Sequence, residues 1–368
     1  MTIWRPKPVT AGASDGWGTV RLIAAFLVIV DHSMPLTGSK YGSVLPSWLG
    51  IDLGNTTVAA FMAMSGYLVT RSWQRDPSVV RFTARRLLRI MPGLVLAITL
   101  TVFLLGPLLT VAPDYFHNPD TWTYLTKNVQ VFPQQYVLPG VFTDVPFPGA
   151  VNGSLWTLPI ELLGYLLVIV LGLLGALRWR PLAVLTAAAA GTLFFLVATG
   201  TADLGKTVLL VVTTALFEYL TVFCVGVVMY LYRERIQFTW YGVAICACVE
   251  LALNGEWPNA LARMVTVPYL VFTIAERLPR RSWLPPSLTM ASYGTYLYGF
   301  PTAQIVIQAG ARSPLLVSLL AVPIAFGLGL LSWHLVEKPA MKLRRFLRHP
   351  RPVQPDAAVT QPISVVST

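Results

Sequence analysis

The sequence predicts an all-α polytopic integral membrane protein with about ten transmembrane helices and both termini cytoplasmic. Three observations carry that prediction. Apolar residues make up 55% of the 368-residue chain and charged residues only 12%, where soluble domains carry roughly a quarter; the mean hydropathy is +0.63. The apolar residues gather into runs that suit a bilayer core, which takes about 20 residues per helix. The cations fall between those runs, heavily biased to alternate gaps. A net charge of +11 would suggest nucleic acid in a soluble chain. Here topology accounts for it, and no nucleic-acid partner is expected.

Taken in order, the runs lie at roughly 20–37, 55–72, 90–111, 153–177, 181–199, 208–231, 238–254, 260–276, 288–309 and 314–336, each near the length of a spanning helix. Pro159, Pro268, Pro301 and Pro323 interrupt several of them; neighbouring helices in a membrane can re-satisfy the backbone groups that such breaks free. With the N-terminus inside, all but five of the 27 Lys and Arg fall in inner segments. The exceptions are Lys40, Lys127, Lys206, Arg263 and Arg312. The positive-inside rule therefore favours an even number of spans.

Residues 1–19 read as a cytoplasmic N-terminal segment, 20–337 as one transmembrane domain, and 338–368 as a basic, then disordered, cytoplasmic tail. The tail is marked by Pro350, Pro352, Pro355 and Pro362. The first apolar run has no convincing small-residue cleavage site and reads as a retained helix. Residues 112–152 form one long outer loop whose Phe132, Tyr136, Val141, Phe142 and Phe147 favour a lid or re-entrant plug over a loose strand. Cys224, Cys246 and Cys248 all sit in apolar stretches. The Cys246-Ala-Cys248 spacing is too tight for zinc, so packing is the simpler reading and no metal is expected.

Charged groups inside spans are costly, and each is a functional candidate. The first helix carries Arg21 and, eleven residues on, Asp31-His32. Eleven steps of about 100° close to within about 20° of three turns, so Arg21 and His32 share a face, about 16 Å apart along the axis. Arg21 fits equally a snorkelling anchor; His32, beside Asp31 in an apolar helix, favours function over packing. Adjacent residues point about 100° apart, which leaves Asp31 poorly placed to hold the ring. Glu161, in the fourth run and close after Pro159, is the expected partner for His32, with a structural ion-pair role as its alternative. Arg81, Arg85 and Arg89 follow at i, i+4 and i+8, with Arg86 flanking and Pro92 expected to end the stretch. Such a ledge suits several phosphates, because Arg offers planar paired donors; alone, it reads more simply as topogenic charge that holds lipid headgroups. Glu218 lies mid-span and is expected to pair with a basic group or bond locally. Tyr293, Tyr296 and Tyr298 suit an aromatic belt or a pocket wall, and His334 and Glu337 read as structural.

These residues resemble the membrane-bound acyltransferase-3 family, which includes bacterial surface-polysaccharide O-acetylases and macrolide acyltransferases. The resemblance runs from about Asp15 to Pro339. It rests on Arg21 and His32, the Phe61–Tyr67 segment, Arg85-Arg86-Leu-Leu-Arg89-Ile-Met-Pro92, Leu155-Trp156-Thr157-Leu158 with Glu161, and Glu337-Lys338-Pro339. Many members carry a His after the aromatic run of the ninth helix; here that region reads Ser292 to Pro301 without one.

The resemblance implies an O-acyltransferase, foremost an O-acetyltransferase, of the bacterial inner membrane. It would take its acyl group from cytoplasmic acyl-CoA and pass it to a hydroxyl of a surface glycan, glycolipid or lipid-linked sugar. On that basis His32, Arg21, Glu161 and Asp31 are the candidate catalytic set, and Arg81, Arg85, Arg86 and Arg89 the candidate CoA-binding set. The other readings are a transporter or flippase of an acyl or glycan carrier, and an acyltransferase acting on a small secondary metabolite.

Overall fold

The computed structural model describes residues 16–46, 51–208, 211–253, 256–277 and 284–347. Arg5, Lys7, Asp15, Arg280, Arg281, Arg348, Arg351 and the prolines of the expected tail lie outside the described residues.

The chain is helical almost throughout. It begins with α1 (Gly16–Leu36), α2 (Leu53–Arg75) and α3 (Val79–Leu100), the last continuing through a π-helical turn at Thr101–Leu105 into α4 (Gly106–Leu109). The long connection after α4 contains α5 (Pro119–Val129). A 3-10 turn, Gly153–Thr157, leads into α6 (Leu158–Leu173), followed by α7 (Arg180–Ala198). Two short strands, Thr207–Val208 and Val211–Val212, pair antiparallel before α8 (Thr213–Leu231). Next come α9 (Trp240–Ala252), α10 (Glu256–Arg277), α11 (Pro286–Thr289), α12 (Ser292–Gln308) and α13 (Pro314–Ser332). A second π-helical turn, Trp333–Glu337, passes into α14 (Lys338–Lys342) and a 3-10 turn at Leu343–Leu347.

Among the described residues each of the ten apolar runs lies mainly on a helix, the sixth entering α8 through the two short strands. Among the described residues, six helical stretches are long and apolar enough to cross a bilayer: Gly16–Leu36, Val79–Leu109, Gly153–Leu173, Arg180–Ala198, Thr213–Leu231 and Pro314–Phe346. The others are shorter or more polar. The 13 residues of α9 are too few, α2 ends in Arg71 and Arg75, and α10 carries Arg263 in its interior. The helical runs thus fit an all-α membrane protein.

Local chemistry sets the helix starts. The Asp52 carboxylate accepts from Asn55 N at 2.6 Å and Thr239 Oγ1 from Gly242 N at 3.1 Å, each satisfying an orphan donor of a first turn. Proline stands in the first two positions of α5, α6, α7 and α13, where its missing N–H costs nothing. Pro92, by contrast, sits inside α3, and the helix runs through it, so Arg81–Arg89 belongs to the same helix as the third apolar run.

α1 is the hub, packed against α2, α10, α12 and α13. α2 lies on α8, and a Cβ placed on Gly66 would come within 2.0 Å of the Phe223 carbonyl oxygen. The small residues of Phe61–Tyr67 therefore allow close backbone approach. The long connection after α4 is tied down by side chains. Tyr115 OH donates to Val102 O (2.9 Å), Gln304 Nε2 to Phe147 O (2.9 Å) and Ala150 O (3.0 Å), and Asn152 Nδ2 to Leu297 O (2.9 Å). A buried ion pair joins α8 to α10: Arg263 Nη2 lies 2.6 Å from Glu218 Oε1. It meets the expectation of a basic partner for Glu218.

Candidate active site

A cavity of about 290 Å³ opens between α1, α2, α3, α6, α12 and the C-terminal turns. Its polar wall is made by Arg21, Arg86, Arg89, Arg344 and Glu161; its apolar wall includes Phe61, Tyr293 and Tyr296. Four guanidinium groups thus share one small space with a single carboxylate in the wall.

Each cation arrives differently. Arg21 lies in the second turn of α1 and its Nε is buried without a partner. Arg86 and Arg89 are three apart on α3, hence neighbours on one face. The Arg86 guanidinium lies 5.7 Å from the Phe82 ring centre and 5.8 Å from that of Tyr165. Arg89 lies 5.7 Å from both Tyr293 and Trp333, and its Nη1 is 3.3 Å from Glu337 Oε2. Aromatic faces hold these cations without neutralising them. Arg344 comes from the last described turn and donates from Nη2 to the Arg85 carbonyl at 3.0 Å. Among the described residues, no carboxylate pairs with Arg21, Arg86 or Arg344.

The expected ledge therefore divides. Arg81 and Arg85 both turn back onto Asp76, at 2.6 and 2.5 Å. They fasten the connection between α2 and α3 and do not line the cavity. Those two hydrogen-bonded guanidinium groups hold the Asp76 carboxyl well below the usual carboxylate range. Of the four arginines expected to bind CoA, Arg86, which flanks the ledge, and Arg89 line the cavity. The i, i+4, i+8 spacing picks the face of α3 that meets Asp76 and Glu337; the cavity lies one step round.

The expected pairing of Glu161 with His32 is not made. Glu161 Oε1 accepts from Ser65 Oγ at 3.1 Å and from Tyr165 OH, in the cavity beside Arg21. One turn of α6 supplies Tyr165 at i+4, a local partner that a sequence search for a distant histidine passes over. His32 instead bonds within its own helix, Nδ1 to Val28 O at 2.6 Å, and packs edge-on to Phe300 at 5.7 Å. A carbonyl only accepts, so Nδ1 carries the hydrogen and the Nε2 lone pair is left unused. Asp31 points elsewhere, as its position on the helix implies: its Oδ1 accepts from Ser43 Oγ (2.6 Å) and Val44 N (3.2 Å).

Arg21 and His32 do share a face of α1, with Ala25 and Val28 between them. On those two residues sit Phe61 and Tyr296, ring centres 5.6 Å apart. His32 is not among the cavity-lining residues. This aromatic pair lines the cavity and packs on Ala25 and Val28, the α1 positions between Arg21 and His32, and Tyr296 is pinned there by donating to Ser154 O (2.8 Å).

A family model described as an acyltransferase domain, that of the acyltransferase-3 family, matches residues 15–334. The chain belongs to this family. As a member, it is an acyltransferase enzyme. It is 28% identical over 333 residues to a protein named O-acetyl transferase from Shigella phage Sf6, spanning 88% of this chain and 95% of that one. It is 28% identical over 370 residues to Nodulation protein 10 of Rhizobium leguminosarum bv. viciae, spanning 92% and 96%. No solved structure matches. Two cavity features lay beyond motif reasoning: Arg344, which follows the matched segment, and the Ser65–Glu161–Tyr165 contact. Among the described residues, no group of three or more His, Cys, Asp or Glu is placed to hold a metal ion.

Proposed function

We propose that this acyltransferase is an O-acyltransferase, foremost an O-acetyltransferase, of the bacterial inner membrane, with ten spans and both termini cytoplasmic. Its acyl donor is acyl-CoA from the cytoplasm, and its acceptor is a hydroxyl of a surface glycan, glycolipid or lipid-linked sugar. The observation that carries the donor is the cavity: four arginines, three of them without a carboxylate partner, against Glu161 alone in the lining. Like charges gathered in a low-dielectric space repel, and a polyanionic ligand is what relieves them. CoA supplies that negative charge at the end of the molecule far from its thioester.

The thioester then extends along the Arg21–His32 face, past Phe61 and Tyr296. His32 is the general base. With Nδ1–H donated to Val28 O, Nε2 takes the proton of the acceptor hydroxyl while the oxygen attacks the thioester carbonyl. The tetrahedral intermediate collapses with loss of thiolate, which takes the same proton back from the imidazolium. The products are the ester and free CoA, and charge and atoms balance. Arg21 steadies negative charge on the donor side, and Glu161 holds the local fold of α2 against α6.

The name of the phage relative supports an O-acetyl product, and the breadth of its alignment supports the same reaction here. Purified protein given acetyl-CoA and a membrane extract as acceptor source will release free CoA thiol. His32→Ala will abolish release while the protein stays folded in detergent. A transporter or flippase would move its carrier without releasing thiol. Turnover that persists in purified His32→Ala sinks this mechanism.

A further inference from the structure

The cavity has one wall that the family match does not reach. The match ends at residue 334, yet the chain goes on through Lys338–Lys342 and Leu343–Leu347 and lies back along α3. Met341 and Arg344 from this segment line the cavity. By sequence Arg344 looks like one more positive-inside residue of a tail.

Its geometry is more particular. One N–H of the guanidinium is committed to the Arg85 carbonyl at 3.0 Å, which fixes the side chain. Its Nε is buried with no partner, as are the Nε atoms of Arg21 and Arg86. No carboxylate offsets its charge among the described residues. Its neighbour Arg345, in contrast, is exposed and lies over Phe346 at 4.7 Å. A guanidinium that lines a cationic cavity, held in place by one donor and with its Nε unpartnered, is preorganised for an anion.

Its level in the cavity says which anion. The Arg85 carbonyl lies four residues before Arg89 on α3, about 6 Å nearer the start of that helix. That start is the inner end in the charge count. α1 also starts at the inner end, and His32 lies about 16 Å beyond Arg21 toward the opposite end. A CoA thioester has its reactive carbon at one end and its ribose 3′-phosphate at the other, with the diphosphate between. A donor laid with its carbonyl toward His32 therefore puts its 3′-phosphate at the level of Arg344.

The geometry points to Arg344 as the residue that reads the 3′-phosphate of the donor, and to the segment after Glu337 as part of the substrate site. This inference rests on the acyl-CoA reading above. The same phosphate chemistry is offered by a lipid headgroup, and the experiment separates the two.

Full-length protein in a non-ionic, phosphate-free detergent is titrated calorimetrically with CoA and with 3′-dephospho-CoA. Wild type binds CoA about tenfold more tightly, the worth of roughly one charge-assisted contact. In Arg344→Gln the preference falls to near one, while affinity for 3′-dephospho-CoA stays within about twofold of wild type. Arg345→Gln keeps the full preference. Should Arg344→Gln not survive purification, Arg344→Lys, which keeps charge but not the planar donors, must still lower the preference several-fold. If the preference persists in these variants, or both ligands weaken together, the assignment is overturned, and Arg344 is a lipid or structural contact. If wild type binds both ligands equally, acyl-CoA stands as donor and this inference alone falls. If wild type binds neither, the donor reading and the inference fall together.

Discussion

Arg89 Nη1 and Glu337 Oε2 meet at 3.3 Å although 248 positions separate them in the chain, and the carboxylate is 1% exposed. The second π-helical turn makes the meeting possible. That turn carries Glu337, buried, at its last position and packs against α3. Gly93 leaves the room: a Cβ there would lie 3.3 Å from Glu337 Cδ. Breaking the pair from either side is expected to cost about 1–3 kcal/mol, since a buried charge loses its partner. In a double-mutant cycle of Arg89→Met and Glu337→Gln, thermal unfolding in detergent should show coupling, the two costs failing to add.

The pair between Arg263 and Glu218 is also buried, with side chains 6% and 11% exposed. Arg263→Met strands a carboxylate among apolar side chains, and about 3–5 kcal/mol of stability should go with it. The double variant with Glu218→Leu should recover most of that loss. Recovery is read from the melting temperature and from monodispersity on size exclusion; no recovery would mean that Arg263 has a further role.

Phe61 and Tyr296 line the cationic cavity and pack on Ala25 and Val28, the α1 positions that lead from Arg21 to His32. Phe61→Ala is expected to widen the passage and raise turnover of butyryl-CoA relative to acetyl-CoA several-fold, because one methylene in a fitted apolar channel is worth about 1–3 kcal/mol of discrimination. Thiol release measured with both donors reports it. An unchanged ratio would place the acyl path elsewhere.

Two glycines should respond in opposite ways. Gly66→Ala drives a methyl into the Phe223 carbonyl across the α2–α8 contact and is expected to cost about 1–3 kcal/mol or more. Gly327, inside α13, has nothing within 4 Å of such a methyl; alanine there should be neutral or stabilise by about 0.5–1 kcal/mol. Melting temperatures of the two variants test the contrast.

Asp76 gives the pH prediction. Arg81 and Arg85 lower its carboxyl from the usual range, so the folded state favours its charged form. That contribution is complete above the unfolded value of about 4 and shrinks as pH falls below it. Asp76→Asn should cost about 0.2–1 kcal/mol, as partly exposed pairs do. The deficit should stay constant from about pH 5 to 8 and narrow below about pH 4. Unfolding followed across that range decides it.

What the residues alone determined was one-dimensional. The ten helical runs, the shared face of Arg21 and His32, and the basic stretch of α3 all follow from spacing along a single helix, where 3.6 residues per turn is the only geometry needed. Kinship could also be read there, because its motifs are local. Which arginines face the cavity could not. Asp76 captures Arg81 and Arg85, Glu337 reaches Arg89 through a π-helical turn, and Arg344 arrives from beyond the last long helix. Glu161 likewise finds Ser65 and Tyr165 instead of His32. A carboxylate in an apolar interior takes the donors that packing brings within about 3 Å, and packing is decided by contacts between helices that no single helix specifies.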